Sequence, residues 1–171
     1  MGLFTTHAKR EEVSMTVYTG GCQCGAIRFR VEGELSHSSI CHCRMCQKAF
    51  GGYYAPLVSV RGADFEWTRG ERKTFRSSNF VDRGFCGDCG TPLTYEAPDG
   101  IAIAAGAFDD PALLPPTIQY GIEGKLPFTD KLHELPGTRT EDDVETTPFI
   151  SEIVSYQHPD HDTTEWPEER K

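Results

Sequence analysis

Seven cysteines fall in three tight groups, Cys22/Cys24, Cys41/Cys43/Cys46 and Cys86/Cys89. Clustered free thiols at C-x-C and C-x-x-C spacing are most often metal ligands, and an odd count without an export signal disfavours a disulfide framework. The opening MGLFTTHAKREE has no apolar core of the kind a signal peptide needs. Phe85-Cys86-Gly87-Asp88-Cys89-Gly90 is a zinc-knuckle sequence, in which glycines let the turn bring two thiolates onto one ion. A redox use of C-x-x-C wants a thioredoxin-like βαβ setting, which the strand pattern here does not offer. Cys22-Gln23-Cys24 puts two sulfurs at i and i+2, on the same face if the segment is an extended strand. Structural zinc takes four ligands in a tetrahedron, so pairing Cys22/Cys24 with Cys86/Cys89 makes a closed four-cysteine site.

Cys41-His42-Cys43-Arg44-Met45-Cys46 then offers three sulfurs within six residues and leaves a fourth position unfilled. Three protein ligands and an exchangeable one is the arrangement of catalytic zinc. Thiolates donate more charge to the ion than imidazoles do, so capture of a soft thiol ligand is more natural here than strong activation of water. The rival reading closes this site with His42 or an acid, making both zincs structural. On a strand, His42 points away from the two cysteines that flank it.

The elements that must hold these groups read as short strands joined by turns. Glycines (17) and prolines (11) spread along the chain favour turns over long helices. Ala26–Val31 alternates like a strand and, with the glycines before it, forms a hairpin carrying Cys22 and Cys24. A brief helix fits Arg44–Phe50, stopped by Gly51-Gly52. Further strands fit YYAPLVSV, DFEWTRGERKTFRS with a turn near Gly70, and NFVDRGFC. A hairpin fits TPLTYEAPDGIAIAAGAF around Pro98-Asp99-Gly100. Prolines from 111 onward impose extended or irregular backbone. The expected organisation is a polar lead-in over 1–15, one zinc-binding domain over 16–137 and an acidic tail over 138–171, in which Phe149–Tyr156 is apolar enough to dock a short helix. Phe50, Tyr53 and Tyr54 are candidates to line a pocket, whereas His133, His158 and His161 read as surface residues.

Charge excludes some partners. The net charge is -9, but ten of the acids and only three of the bases lie in residues 138–171, so the body is nearly neutral. No lysine or arginine block exists to neutralise phosphates, which argues against nucleic acid. No window carries the roughly 20 apolar residues of a membrane span. A protein of the cytoplasm is expected, and a homo-oligomer is compatible with the sequence.

The order GGCQCG, CHCRMCQKAFGG and SSNFVDRGFCGDCG resembles the glutathione-dependent formaldehyde-activating family, also called the centromere protein V domain family, from about Tyr18 to Asp110. IEGKLPFTDKLHELPG is similar to the usual end of that domain. The resemblance implies an all-β fold of the β-tent (Mss4-like) kind, with two zinc ions per chain. Cys22, Cys24, Cys86 and Cys89 would hold the structural zinc, and Cys41, Cys43 and Cys46 the catalytic one. The implied activity is a carbon–sulfur lyase or adduct synthase that joins formaldehyde, or another small carbonyl, to the thiol of glutathione. Glutathione carries two carboxylates, so cations near the open site are expected, and Arg44, Lys48 and Arg83 are nearest in sequence. Where family members often have a histidine and a tryptophan late in the domain, this chain has Gln119-Tyr120 and Phe128. Two other functions stay open at this point: a non-catalytic zinc-stabilised protein-binding module, and a thiol redox protein on the same fold.

Overall fold

The computed structural model describes residues 15–166 apart from Val144. The lead-in expected over residues 1–15 lies outside the described residues except for Met15, as does the end of the tail beyond Trp166. The architecture is all-β: ten strands in two sheets, with a single α-helix among the described residues.

β1 (Val17–Gly21), β2 (Arg28–Glu32) and β5 (Asp64–Arg69) make a three-stranded antiparallel sheet in the order β1-β2-β5. Alternation on β2 explains its placement, because Phe29 and Val31 are fully buried while Arg30 and Glu32 pair on the outer face. Phe29 packs its ring against Phe65 and Trp67 of β5 and against Phe108. The second sheet runs β10-β3-β4-β9-β8-β7-β6. Its strands are β3 (Ser38–Cys41), β4 (Ala55–Ser59), β6 (Lys73–Arg76), β7 (Asp82–Phe85), β8 (Pro92–Ala97), β9 (Gly100–Ala104) and β10 (Ile118–Tyr120). All pairings are antiparallel except β10 with β3. The turn at Gly70 (φ 65°) is a change of sheet, since β5 and β6 belong to different sheets. One core joins the sheets, and it contains Phe29, Val58, Leu93, Ile103 and Phe108 together with the sulfur-bearing Cys22 and Cys86.

The apolar stretch 149–156 forms only a 3-10 turn at Pro148–Glu152, with Phe149, Ile153 and Val154 left exposed. The docking element lies further on. Residues 157–166 return to the domain as a strap over the β1–β2 turn: the His158 amide donates to the Gln23 carbonyl at 2.8 Å, and the Trp166 indole N–H donates to the Cys24 carbonyl. The strap also brings Asp162 to within 2.6 Å of Arg28, whose other carboxylate partner is Asp109 at 2.5 Å. His158, expected at the surface, is 3% exposed, because the strap folds it between Trp166 and the Thr163 hydroxyl.

Two predictions follow from that strap. Asp109 is the more buried partner of a buried guanidinium, so Asp109→Ala should cost about 3–5 kcal/mol. Asp162 is half exposed, and Asp162→Ala should cost about 1 kcal/mol or less in urea unfolding. Burial, reinforced by the charges of Arg28 and Arg69, holds His158 below the usual imidazole range. A depressed histidine favours the neutral form when folded, so its contribution is intact above the unfolded value near 6.5 and is lost as pH falls below it. Amide protection over 157–166, corrected for the intrinsic pH dependence of exchange, should therefore fall as pH drops below about 6.5, and His158→Gln should abolish that step.

Candidate functional site

Cys22 and Cys24 do not lie on a strand, contrary to the expectation from their spacing. β1 ends at Gly21, and the two cysteines sit in the turn to β2, where Gly25 at φ 73° bonds back to the Cys22 carbonyl. The turn, rather than the pleat, aims both sulfurs inward. Cys86 and Cys89 occupy the matching turn between β7 and β8, closed by Cys86 N to Thr91 O at 2.9 Å and by Gly90 N to Cys86 O at 2.9 Å. The Gln23 amide donates to the Thr91 hydroxyl at 3.1 Å and ties the two turns together.

All four sulfurs lie within 4.8 Å of one another. Cys22–Cys24 are 3.5 Å apart and Cys24–Cys86 are 3.8 Å apart, close to the roughly 3.8 Å edge of a tetrahedron whose metal–sulfur bonds are about 2.3 Å. The Ile27 amide donates to the Cys22 sulfur at 3.3 Å, as it would to a thiolate. Burial raises Cys89, but hydrogen bonds to Thr91 outweigh it and bring the thiol down to about 6. This cluster could hold a metal ion.

The second cluster forms where β3 passes into the helix. Cys41 ends β3, Cys43 caps α1 (Arg44–Phe50), and Cys46 lies in the first turn of that helix. The Cys43 sulfur accepts the Cys46 amide at 3.4 Å, so a side chain of the sulfur cluster doubles as the helix cap. The three sulfurs lie within 4.8 Å of one another, and among the described residues no histidine or carboxylate joins them. His42 points away as expected: it is buried, with Nε2 2.9 Å from the Gln119 side-chain oxygen and its ring against Tyr54. Burial pushes the Cys46 thiol up to about 12, so ionising three crowded sulfurs here calls for a cation among them. Cys43 is held below its ordinary value, the lift from burial being outweighed by the Cys46 amide, the neighbouring sulfurs and the Arg83 charge.

Residues far along the chain lock this loop. Gln47 donates to the carbonyls of His42 and Gly124 at 2.7 and 3.0 Å, and the His42 amide donates to Tyr120 at 2.8 Å. Gly121, at φ 61°, lies so close that a Cβ there would sit 2.9 Å from the Cys43 nitrogen. Gln47 escaped sequence reasoning because a glutamine on a short helix reads as solvated, and Gly121 because its partner is distant in sequence.

The cluster opens into a cavity of about 770 Å³, also lined by Leu57, Arg83, Tyr95, Ile101, Ile118 and Tyr120 among others. Of the expected cations, Arg83 reaches the cluster: it is 3% exposed, donates to the Cys46 sulfur at 3.3 Å and to the Ser77 hydroxyl at 3.0 Å, and stacks on Tyr95. Arg44 and Lys48 instead line an adjoining recess of about 440 Å³ with Arg76, a residue not anticipated from sequence. The three aromatic candidates stay out of the thiolate cavity: Tyr53 pairs with Phe128, Tyr54 with His42, and Phe50 packs on the core.

Residues 17–122, more than half of the chain and containing all seven cysteines, match the model of the family described as glutathione-dependent formaldehyde-activating enzyme. The chain belongs to the glutathione-dependent formaldehyde-activating family. It is 29% identical over 86 residues to an uncharacterized lyase of Schizosaccharomyces pombe, covering 50% of this chain and 62% of that one. This chain therefore spans about three fifths of that curated relative's length. The crystal structure of a Rhodobacter sphaeroides protein aligns with a TM-score of 0.46 and 20% identity over 59% of this chain and 98% of the other. In this member of the glutathione-dependent formaldehyde-activating family, the matched segment ends just past β10, so the strap lies outside it.

Proposed function

We propose that the protein is a zinc-dependent carbon–sulfur lyase or adduct synthase that joins a small carbonyl to glutathione or a similar thiol, as in S-(hydroxymethyl)glutathione synthesis. One observation carries the reading: three sulfurs, joined by no fourth ligand among the described residues, line a cavity large enough for both reactants. Two zinc ions fit the donor sets, a structural one at Cys22, Cys24, Cys86 and Cys89, and a catalytic one at Cys41, Cys43 and Cys46. Zinc in the second site supplies a soft Lewis-acid position suited to a thiol sulfur.

The chain's own residues do the rest. The cavity holds the thiol sulfur beside the carbonyl carbon, and proximity supplies most of the gain. The sulfur adds to carbon, the carbonyl π pair moves to oxygen, and the thiol's proton ends on that oxygen; the reverse step is the lyase reaction. Arg83 provides the counter-charge, since three thiolates and a divalent ion leave one negative charge. Among the described residues Arg83 makes no carboxylate pair. Arg44 and Lys48 serve the thiol's carboxylates. The working unit is residues 16–137, with the acidic segment 138–171 appended. Seven unpaired cysteines suit a reducing compartment such as the cytoplasm.

Arg83→Met should weaken one of the two metal sites by about 10- to 100-fold in chelator competition, the range for partners of metal ligands, and leave the other unchanged. The activity itself is tested by exchange NMR between free glutathione and its formaldehyde adduct at catalytic protein concentration. Acceleration that is absent in Cys46→Ala supports the reading, and an unaltered solution rate refutes it.

A further inference from the structure

The cavity over the three sulfurs is much larger than a one-carbon aldehyde requires, and beside polar groups such as His37 and Ser59 much of its wall is apolar. Formaldehyde is comparable in size to a water molecule, which takes about 30 Å³ in the liquid, whereas the cavity holds about 770 Å³. Leu57 of β4, Ile101 and Ala102 of β9, Ile118 of β10 and Val81 line it with aliphatic surface, and Tyr95 and Tyr120 add rings. Exposed apolar side chains such as Ile118 and Tyr120, at 45% and 53%, gain from covering by an apolar ligand.

The thiol does not account for that apolar volume. Arg83 donates to the Cys46 sulfur and the Ser77 hydroxyl, and Arg61 and Asp99 both line the cavity. The neighbouring recess offers three cations, Arg44, Lys48 and Arg76, with no acid in its lining. Met45 and Ser77 line both spaces, so the two adjoin at that edge. Arg44 and Lys48 stand one turn apart on α1 and share a face of the helix that carries Cys46. Arg76 also pairs with Asp82 at 3.0 Å on the exposed surface, which leaves its side chain at the recess edge. A thiol whose sulfur sits at the cluster can therefore lay its carboxylates in the cationic recess. The aliphatic cavity is then left to the other reactant.

We infer that the carbonyl partner is a larger apolar aldehyde, aliphatic or aromatic, whose substituent fills the cavity over the face of the sheet made by β10, β3, β4 and β9. This rests on the thiol-adduct reading and narrows its substrate class. The bond made is the same: thiol sulfur to aldehyde carbon, with the π pair moving to oxygen and the thiol proton following it. No oxidant or reductant is needed. A buried methylene is worth about fourfold in binding, so a six-carbon aldehyde has ample room to outcompete formaldehyde.

The test uses the full zinc-loaded chain with glutathione and, in turn, formaldehyde, hexanal and benzaldehyde, reading adduct exchange by NMR as kcat/KM over the uncatalysed rate. The expected result is at least a tenfold preference for hexanal or benzaldehyde over formaldehyde. Ile118→Asp, an exposed edge-strand substitution that spares the core, should reduce that preference at least fivefold. Formaldehyde handled as well as or better than the larger aldehydes overturns the inference while leaving the adduct reading standing. Exchange that stays at the solution rate with all three overturns both.

Discussion

Cys86→Ser is expected to give a chain that fails to fold, with both metal ions lost and the dispersed spectrum of a β protein replaced by that of a collapsed or unfolded one. The four-sulfur cluster is part of the core: Cys22 and Cys86 are 3% and 1% exposed and pack in the same cluster as Phe29, Leu93 and Phe108. The two turns it joins lie in different sheets, β1–β2 in the first and β7–β8 in the second, so an ion held there would bridge the two sheets. A structural zinc contributes roughly 10–16 kcal/mol of apparent binding free energy, which equals or exceeds the roughly 5–15 kcal/mol that holds a typical domain folded. Loss of one of four thiolates removes most of that term. Circular dichroism with a metal count checks it, and a Cys86→Ser protein that melts near the wild type would show that the bridge is dispensable.

Cys43→Ala is expected to have the opposite profile: the fold survives, one ion of two is lost, and thiol-adduct exchange falls by 10³-fold or more, the scale on which removing a directly participating group acts. The second cluster lies at the end of β3 and the start of α1, and its buried member Cys46 packs with Ala55 and Leu57 in a small group separate from the main core. The structural cost is the lost cap of a seven-residue helix, about 1 kcal/mol, or a few degrees of melting temperature. Metal analysis, melting and exchange kinetics on one preparation read all three. A stable two-metal Cys43→Ala protein would mean that another group closes the site.

The contrast between these two substitutions was legible in the sequence, and for a physical reason. Thiol ligands must come in local pairs or triplets to share an ion, so Cys22/Cys24, Cys86/Cys89 and Cys41/Cys43/Cys46 announce themselves by spacing. The helix at Arg44–Phe50 was equally readable, because Gly51 in the left-handed region ends it. Interactions between distant segments were not readable. Gln47 bonding to Gly124, Gly121 pressed on Cys43, and β10 laid parallel to β3 are set by tertiary placement and leave no local pattern. The strap escaped for a related reason: its anchors are a histidine, an aspartate and a tryptophan with no periodicity, and only Arg28, buried at the start of β2, shows what Asp162 is for. Cys22 and Cys24 gather with Cys86 and Cys89 as their spacing suggests, but on a different backbone, since a C-x-C pair can converge through a glycine-relaxed turn as well as through a pleat.

The central claim is that the three-sulfur site has a corner a thiol can take, and X-ray absorption at the zinc edge tests it most directly. Seven cysteine sulfurs shared by two ions should give about 3.5 sulfurs per zinc, with the remainder nitrogen or oxygen. Adding glutathione to saturation should raise that to about 4, in wild type but not in a variant lacking the second site. A sulfur count that stays at its starting value would contradict the proposed thiol-binding corner.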